Sequence, residues 1–504
     1  MKLNIIYTSD VHGQLTSAHY PSKTHKAMGL VRLNALLDTL SEPTLLLDNG
    51  DFLQGSVLLD YHRLFASKTP HPWVLAHRHL PYAAMTLGNH DFNYGQTFLT
   101  RVLEDIKTPV VCANLKRPDG SHVFAPYLIH TIQNITVGIV GAITQYVPIW
   151  EKPEHIEGLV FEDAKTCVQE AVNQLKGSVD FIVVLYHGGY EKDLVTGELI
   201  GRDTPENQGY QIAHLEGVDV LLCGHQHLPT VHTLPSGLLT LQTPANATHV
   251  GHVLIEKDGE RWRKTGRLIP LDTPEDPAFL AALTPLEEAT QRWLDTPVAK
   301  GLPGWGMSDP FLTRKDNHPL FGWIHQLQLN HTQAEISIAS LPNEAPGFSQ
   351  TIHLRDIAAN FVYPNTLVVL EIEGRALLEG IKQSLRYFHP HEGTLSLNPA
   401  FIYPKVEHYN YDSFYPLDIE ATYTQGGLDS LRVFYQGSPL ALDRSYRVVL
   451  NNYRAAGGGD YVMYAEATLV REYDQSLFDL AVKTLQQDGQ LVVPKANKLT
   501  LTLK

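Results

Sequence analysis

The sequence predicts two α/β domains joined by a helical connector. Through residue 270, short apolar runs of strand length alternate with amphipathic stretches of helical length, a pattern typical of βαβ units in a layered α/β domain. Residues 272–296 begin at a proline-marked break and continue as a helix, which indicates a connector. Beyond it, further apolar runs and helical stretches predict a second α/β or α+β domain. We therefore expect domains at 1–271 and 297–504, with 272–296 between them.

The predicted strands of the first domain are short runs rich in apolar residues. They lie at Leu3–Ser9, Thr44–Asp48, Tyr82–Leu87, Thr136–Ala142, Asp180–Tyr186 and Val218–Cys223. Gly29–Leu40 and Glu162–Leu175 carry apolar residues at helical spacing and predict two of the intervening helices. The second domain is predicted to contain strands at Thr366–Ile372, Ser445–Asn451 and Leu491–Val493 and a helix at Gly374–Tyr387.

The composition is that of a folded, acidic protein. The 504 residues include 39 Lys or Arg and 54 Asp or Glu, for a net charge of −15, and 43% are hydrophobic. This hydrophobic content is typical of globular chains rather than disordered ones. The acidic balance argues against a protein that binds polymeric nucleic acid through a basic surface, but it does not exclude a small anionic substrate at a metal site.

The sequence also predicts the cellular location. Cys112, Cys167 and Cys223 are too few for a disulfide framework, which favours a reducing compartment. The N-terminal residues lack the features of a signal peptide, and the longest apolar runs fall far short of the roughly 18 residues that a membrane-spanning helix needs. We therefore expect a cytoplasmic protein that uses neither a membrane nor a protein partner.

Metal-ligand side chains follow one predicted strand after another in the first domain. They are Asp10 and His12, Asp51, Asn89 and His90, His187, and His225 and His227. Open α/β sheets place their ligand sites at the carboxyl ends of strands, so we expect these side chains to meet at one edge. A single histidine or aspartate is more often structural than a ligand. The recurrence at five strand ends, however, predicts a metal site.

Five motifs occur in order along this half of the chain. They are DxH from Asp10, GDxxQG from Gly50, GNHDF from Gly88, YHGG from Tyr186 and GHxH from Gly224. As an ordered set they resemble the calcineurin-like metallophosphoesterases, and specifically the 5′-nucleotidase family. The resemblance implies a four-layer α/β/β/α metallophosphoesterase domain followed by an α/β substrate domain of the 5′-nucleotidase type.

The same resemblance implies a ligand set for two divalent cations. One cation would be held by Asp10, His12, Asp51 and His227, and the other by Asp51, Asn89, His187 and His225, with Asp51 bridging. Two cations roughly 3.5–4 Å apart activate a water and neutralise charge on the attacking and leaving oxygens of a phosphoester. This mixed set of ligands suits Mn²⁺, Zn²⁺, Co²⁺ or Fe²⁺ better than Ca²⁺, without selecting among them.

The catalytic histidine of the family corresponds to His90. It would donate a proton to the leaving oxygen or stabilise charge in the transition state. Many 5′-nucleotidases carry an aspartate three residues after this histidine, and here that position is Asn93. The asparagine, together with YPNTL at 363–367 and NNYRA at 451–455, resembles the branch of 2′,3′-cyclic-nucleotide 2′-phosphodiesterases with 3′-nucleotidase activity. Since an amide lacks the negative charge of a carboxylate, Asn93 stabilises a protonated imidazole less.

Motifs in the second domain resemble the nucleoside-binding domain of the same family. They are ASLPNEAPGF at 339–348, HLRDIAANFVYPNTL at 353–367 and NNYRAAGGGDY at 451–461. By resemblance Tyr453 stacks on one side of the base, and we select Tyr409 for the other side, with Tyr411 and Phe414 as alternatives. The other candidates for contact with substrate are Arg355, Arg454, Gly457, Gly458 and Asp460.

The sequence therefore predicts a metal-dependent hydrolase of small nucleotides. The expected reaction is opening of a 2′,3′-cyclic nucleotide by in-line attack of metal-bound hydroxide, followed by hydrolysis of the resulting 3′-nucleotide. A 5′-nucleotidase or nucleotide-sugar hydrolase is the alternative within the enzyme class. A non-catalytic nucleotide sensor is an alternative of another class, and it is disfavoured because no member of the expected ligand set is missing.

Overall fold

The computed structural model describes residues 2–200, 204–258, 261–363, 365–403, 406–495 and 497–504. They form two compact units, one up to Thr290 and one from Gln291 onward. The division falls within the helix Pro277–Leu294, which lies inside the predicted connector. We retain 1–271 and 297–504 as the proposed limits of the two domains.

The first unit contains two large sheets. In spatial order, the strands of the first sheet are Arg261–Pro270, His249–Asp258, Lys2–Thr8, Thr44–Asp48 and Tyr82–Met85. Those of the second sheet are Thr230–Thr233, Leu239–Gln242, Val220–Cys223, Phe181–His187, Ile135–Ile143 and Tyr127–Ile132. Lys2–Thr8, Thr44–Asp48 and Tyr82–Met85 run parallel in the first sheet, as do Ile135–Ile143, Phe181–His187 and Val220–Cys223 in the second, so their carboxyl ends share one edge of each sheet.

The two sheets pack face to face and form the core of the unit. Leu3, Ile5 and Tyr7 point from the first sheet toward Val183 and Leu185 of the second, and these side chains belong to one buried cluster. The opposite face of the second sheet is covered by the helix Ala164–Leu175. On the opposite face of the first sheet, the helix Pro72–His79 packs against the strand that begins at Tyr82. The layers are therefore α/β/β/α, as predicted.

The first unit also contains shorter helices, turns and strand pairs. The α-helices are Leu33–Leu37, Val57–Phe65, Gly95–Asp105, Val147–Trp150 and Gly209–Ala213, and the 3₁₀ turns are Leu30–Arg32, Asn89–Phe92 and Pro153–His155. Two small antiparallel pairs join Ala18–His19 to Thr24–His25 and Leu115–Lys116 to Val160–Phe161. The stretch predicted as one helix at Gly29–Leu40 is a 3₁₀ turn followed by a short α-helix.

The second unit is built on a mixed sheet and a smaller sheet. The strands of the mixed sheet are, in order, Asp412–Tyr415, Ile336–Ser340, Ser445–Asn451, Thr366–Glu373 and Thr468–Ser476. The smaller sheet consists of Ser438–Pro439, Gly427–Tyr435, Leu417–Thr424 and Leu499–Leu503. Two further pairs join Pro297–Lys300 to Thr351–His353 and Phe388–His391 to Thr394–Leu397.

Helices cover the sheets of the second unit. The α-helices are Pro310–Lys315, Pro319–Thr332, Leu354–Asn360, Gly374–Leu385, Asn452–Ala455 and Leu477–Asp488, and the 3₁₀ turns are Pro399–Phe401, His408–Asn410, Gly458–Asp460 and Val462–Tyr464. The prediction of a strand at Leu491–Val493 is wrong, because these residues lie outside every strand and Val492 and Val493 are exposed. Among the described residues, no helix combines the length and the apolar character needed to cross a bilayer.

Candidate active site

The seven predicted metal-ligand residues all lie at or just beyond the carboxyl ends of strands. Asp10 and His12 follow Lys2–Thr8, Asp51 follows Thr44–Asp48, Asn89 follows Tyr82–Met85, His187 ends Phe181–His187, and His225 and His227 follow Val220–Cys223. Six of the seven are nearly or fully buried, whereas the side chain of His227 is 39% exposed. The loops from both sheets therefore bring these polar side chains into the same part of the unit.

The backbone of these loops is unusual at the candidate ligands. Asp10, His12, Asp51, His225 and His227 have φ angles between 49° and 72°. This left-handed region is uncommon for residues other than glycine and is enriched at functional sites. Such a conformation turns the chain sharply after each strand and directs a side chain back over the edge of the sheet.

Asp10, His12 and His227 form one tight group. One ligand atom from each lies within 4.8 Å of the other two. The His227 Nε2 atom is 3.3 Å from Asp10 Oδ1 and 3.2 Å from His12 Nε2. His12 donates from Nδ1 to the Gln54 carbonyl oxygen at 2.9 Å, so its Nε2 lone pair is directed at the group.

A second group consists of Asp10, Asp51 and His187, which again lie within 4.8 Å of one another. The His187 Nε2 atom is 3.2 Å from Asp51 Oδ2 and 3.9 Å from Asp10 Oδ1. His187 donates from Nδ1 to the Asn49 carbonyl oxygen at 2.7 Å. As with His12, this bond leaves Nε2 for a cation. Both groups share Asp10, and the Asp51 Oδ2 atom is also 3.9 Å from His12 Nε2.

Asn89 and His225 form a pair next to these groups. Asn89 Oδ1 and His225 Nδ1 are 2.9 Å apart, and the His225 ring centroid is 5.7 Å from that of His187. The His225 ring stacks on Trp150 and its Nε2 atom is 3.0 Å from Glu206 Oε1. Neither Trp150 nor Glu206 belongs to a motif, so no sequence pattern indicated their contact with His225.

The residues present fit divalent cations. Among the residues that the structure describes, the Asp51 Oδ2 and His187 Nε2 atoms are buried without a hydrogen-bond partner, and they face each other at 3.2 Å. Buried polar atoms are normally paired, so unpaired ligand atoms that converge indicate a bound ion. The Nε2 atoms of His12 and His227 face each other at 3.2 Å, an arrangement in which both nitrogens can bind one cation.

Electrostatic interactions among these groups are strong. Burial would lower the pKa of His187, but Asp51 and Asp10 outweigh burial and raise that pKa to about 10. Burial would raise the pKa values of Asp10 and Asp51, yet both values are lowered, mainly by His187. For His12, burial is the dominant cause and lowers its pKa to about 4. The two buried carboxylates thus require positive charge beside them, which bound cations supply.

Asp91 holds the loops that carry the candidate ligands. Its carboxylate accepts hydrogen bonds from the backbone N–H groups of Gly88, Asp51, Phe52 and Leu53 at 2.8–3.0 Å. A Cβ atom at Gly88 would lie 2.2 Å from Asp51 Oδ1, so only glycine permits this approach of the two loops. Asp91 lies in the GNHDF motif, but its supporting role follows only from these contacts.

His90 lies beside the first group. Its ring centroid is 5.3 Å from that of His12, and its backbone N–H donates to Asp51 Oδ1 at 2.8 Å. The His90 Nδ1 atom is 2.8 Å from Asn93 Oδ1. Asn93 donates in turn to Glu151, a residue that the sequence did not single out. His90 and Asn93 are therefore in hydrogen-bond contact, and this contact extends to the Glu151 carboxylate.

The candidate base-stacking residues differ in their burial. Tyr409 and Tyr453 are half-buried, whereas Tyr411 and Phe414 are 3% and 2% exposed in the core of the second unit. A strand through these residues would place Tyr409 and Tyr411 on one face, but residues 408–410 form a 3₁₀ turn and the strand begins at Asp412. Tyr411 and Phe414 are therefore packing residues, and Tyr409 and Tyr453 stay our candidates.

Arg454 connects the segments that carry both tyrosines. It is 2% exposed and donates to Asn410 Oδ1, to Asp412 Oδ1 and to the Tyr409 carbonyl oxygen. Because Arg454 is buried and its guanidinium is engaged by these groups, the geometry favours a positioning role over direct contact with substrate. Arg355 is likewise buried and donates to Gln291 and Asp295.

The glycine-rich turn after Tyr453 packs against that residue. A Cβ atom at Gly458 would lie 2.6 Å from the Tyr453 ring, so the turn approaches the ring closely. Gly457 has φ 88° and Asp460 has φ 74°, which bends the chain on either side of this contact. Contact of these residues with substrate stays a prediction.

Two family models match the chain. Residues 3–229 match the calcineurin-like phosphoesterase family, and residues 305–466 match the 5′-nucleotidase C-terminal domain. The first range contains all of the candidate metal ligands, and the second contains both candidate stacking tyrosines.

Curated relatives match most of this chain at low sequence identity. A trifunctional nucleotide phosphoesterase protein of Bacillus subtilis is 24% identical over 98% of this chain, which spans 38% of that protein's length. A 2′,3′-cyclic-nucleotide 2′-phosphodiesterase/3′-nucleotidase of Haemophilus influenzae is 24% identical over 98% of this chain and 86% of that protein. The human 5′-nucleotidase is 25% identical over 93% of this chain and 85% of that protein.

Solved structures show the same fold. A candidate 5′-nucleotidase from Staphylococcus aureus, determined with α-ketoglutarate, has a TM-score of 0.92 at 29% identity and covers 100% of both chains. A 5′-nucleotidase precursor from Thermus thermophilus has a TM-score of 0.71 at 22% identity, over 100% of this chain and 99% of the other, and shows the fold alone. The predicted family and fold class are confirmed. The chain belongs to the 5′-nucleotidase family of calcineurin-like metallophosphoesterases, and it is a hydrolase of nucleotide phosphoesters.

Proposed function

We propose that the chain hydrolyses the 2′ ester of 2′,3′-cyclic nucleotides and then the phosphate of the resulting 3′-nucleotides. The main support for phosphoester hydrolysis is the convergence of Asp10, Asp51 and His187, because their ligand atoms fit a divalent cation. The preference for a cyclic substrate is supported by Asn93 in place of an aspartate and by the activity named for the Haemophilus influenzae relative.

In this proposal each group at the centre has a distinct task. Asp10, His12, Asp51 and His227 hold one divalent cation, and Asp51, Asn89, His187 and His225 hold the other; Mn²⁺, Zn²⁺, Co²⁺ and Fe²⁺ are the candidates. When bound, the cations supply Lewis-acid charge and activate a water. His90 lies close enough to His12 to meet a phosphoester oxygen at this centre, where it stabilises charge or gives a proton to the leaving group.

A 5′-nucleotidase is the second candidate function. The Staphylococcus aureus structure, named as a candidate 5′-nucleotidase, covers the whole chain at a TM-score of 0.92. The human relative is likewise named a 5′-nucleotidase. Both activities use the same metal centre, so they differ only in which ester reaches it.

A substrate panel decides between these functions. Protein stripped of metal and reconstituted with Mn²⁺ is expected to hydrolyse 2′,3′-cyclic AMP and 3′-AMP at least tenfold faster than 5′-AMP, measured as kcat/KM. Rapid turnover of 5′-AMP without turnover of the cyclic substrate would establish the 5′-nucleotidase instead. Nucleotide binding without hydrolysis of any panel member would indicate a sensor and would overturn both proposals.

Replacing Tyr453 by alanine is expected to raise KM for the nucleotide by roughly 5- to 150-fold, since stacking on one base contributes about 1–3 kcal/mol. We expect little change in kcat, because Tyr453 belongs to the second unit and the candidate metal ligands belong to the first. Steady-state kinetics with 2′,3′-cyclic AMP measures both constants. Tyr473→Ala, on the edge strand Thr468–Ser476, is the matched control and should leave KM unchanged. An unchanged KM in Tyr453→Ala would remove Tyr453 from the base site.

A further inference from the structure

Glu151 is the third member of a hydrogen-bonded chain that begins at His90 and passes through Asn93. The His90 Nδ1 atom is 2.8 Å from Asn93 Oδ1, and Asn93 Nδ2 donates to Glu151 Oε2 at 2.7 Å. The side chain of Glu151 is 7% exposed. A carboxylate shielded from water interacts more strongly with its neighbours than an exposed one, so its effect on Asn93 is large.

Glu151 fixes which way the Asn93 amide points. An asparagine side chain has a donor end and an acceptor end, and a carboxylate only accepts hydrogen bonds. The Nδ2 end of Asn93 must therefore face Glu151, because the opposite orientation would place two acceptor oxygens against each other. The Oδ1 end then faces His90. Since that oxygen only accepts, the hydrogen on a neutral His90 ring must be on Nδ1, which leaves Nε2 for the substrate.

Glu151 itself is held firmly in place. It follows the helix Val147–Trp150, and its backbone N–H donates to the Val147 carbonyl oxygen at 3.0 Å. Its Oε1 atom accepts from the Lys152 backbone N–H at 2.9 Å and is 2.8 Å from His155 Nδ1. These contacts occupy Oε1 and leave Oε2 for Asn93. These contacts orient the Glu151 carboxylate independently of Asn93.

We propose that Glu151 is a positioning residue for catalysis, which fixes the Asn93 amide and, through it, the tautomer of His90. An aspartate at position 93 would place a negative charge next to His90. Glu151 supplies that charge from behind Asn93 instead. The inference rests on the proposed role of His90 in phosphoester hydrolysis. It explains how an asparagine works in that position: its carbonyl oxygen is polarised by the charge behind it.

A charge-exchange experiment tests this proposal. In Glu151→Gln two amides face each other and Asn93 can adopt either orientation, so we expect kcat for 2′,3′-cyclic AMP to fall about 10- to 100-fold with KM and metal content unchanged. The double variant Asn93→Asp/Glu151→Gln places the carboxylate next to His90 and the amide behind it, and should recover kcat to within about threefold of the starting enzyme. Glu154→Gln, at an exposed position of the same segment, is the matched control.

Recovery of kcat in the double variant distinguishes a positioning role of Glu151 from a merely structural one. If Glu151 only anchored residues 151–155, a substitution at Asn93 would not restore activity. Equal kcat values for Glu151→Gln and Glu154→Gln, or a double variant no faster than Glu151→Gln alone, would overturn the proposal.

A spectroscopic measurement keeps this test independent of the substrate. In protein with ¹⁵N-labelled histidine at alkaline pH, the His90 signals, assigned by their loss in His90→Gln, should show the hydrogen on Nδ1. In Glu151→Gln they should shift toward a mixture of the two tautomers. A hydrogen on Nε2 in the unsubstituted protein would disprove the positioning role. Failure of the whole substrate panel with the expected tautomer present would instead reject the proposed function alone.

Discussion

Replacing Asp51 by asparagine is expected to lower kcat by about 10³-fold or more and to reduce the bound metal. The Asp51 Oδ2 atom is 3.2 Å from His187 Nε2 and 3.9 Å from His12 Nε2. This oxygen therefore lies close to a histidine from each of the two groups of candidate ligands. Asparagine keeps the shape but removes the charge. A cation contributes several kcal/mol to the stabilisation of the transition state, and about 4 kcal/mol corresponds to 10³ in rate.

The measurement combines turnover with metal analysis of the purified protein. Circular dichroism should show that Asp51→Asn is folded, because the substitution removes one of two buried like charges. Asp105→Asn, at the exposed end of the helix Gly95–Asp105, is the control and should behave like the unsubstituted enzyme. Full activity and a full complement of metal in Asp51→Asn would exclude Asp51 as a bridging ligand.

Replacing His90 by glutamine is the substitution with the second largest expected effect. We expect kcat to fall by roughly 10²- to 10⁴-fold, the usual contribution of a general acid or base. Metal content should not change, because His90 contacts the centre through its backbone N–H on Asp51, which glutamine retains. The result that distinguishes His90 from a ligand is therefore lost turnover with the metal still bound.

His391→Gln is the matched control for this substitution, since His391 is an exposed histidine in the second unit. Substrates with a good leaving group provide a second readout. If His90 protonates the leaving oxygen, the loss in His90→Gln should be smaller for a nitrophenyl ester than for 2′,3′-cyclic AMP. An equal loss for both esters would assign His90 to charge stabilisation, and no loss for either would exclude it from catalysis.

The sequence predicted the position of the candidate centre well, because the rule that places ligand sites at the carboxyl ends of strands applies to each loop separately. Asp10, Asp51 and His187 each follow a short apolar run, and their motifs are compact enough to be recognised without any knowledge of packing. The layered fold followed from the same alternation of strands and helices.

The residues that the sequence did not indicate depend on contacts between distant segments. Glu151, Glu206 and Trp150 lie in no motif, and each reaches a histidine or its partner only after loops from different strands fold together. The burial of Tyr411, an alternative to Tyr409, has a local reason, since a 3₁₀ turn at 408–410 interrupts the alternation that a strand would impose. Leu491–Val493 has strand-like composition, and the Leu491 N–H donates to the Lys300 carbonyl oxygen at 2.7 Å, but Val492 and Val493 are exposed and continue no strand.

The left-handed backbone at five of the candidate ligands restricts what evolution can place there. Aspartate, asparagine, histidine and glycine tolerate this conformation, whereas a β-branched side chain opposes it by about 1–2 kcal/mol even where space is available. A descendant that had lost its metal and its catalysis would therefore drift toward glycine or asparagine at these positions rather than toward valine or isoleucine. Inactive members of the family should be recognisable by that signature, while their loops keep their shape.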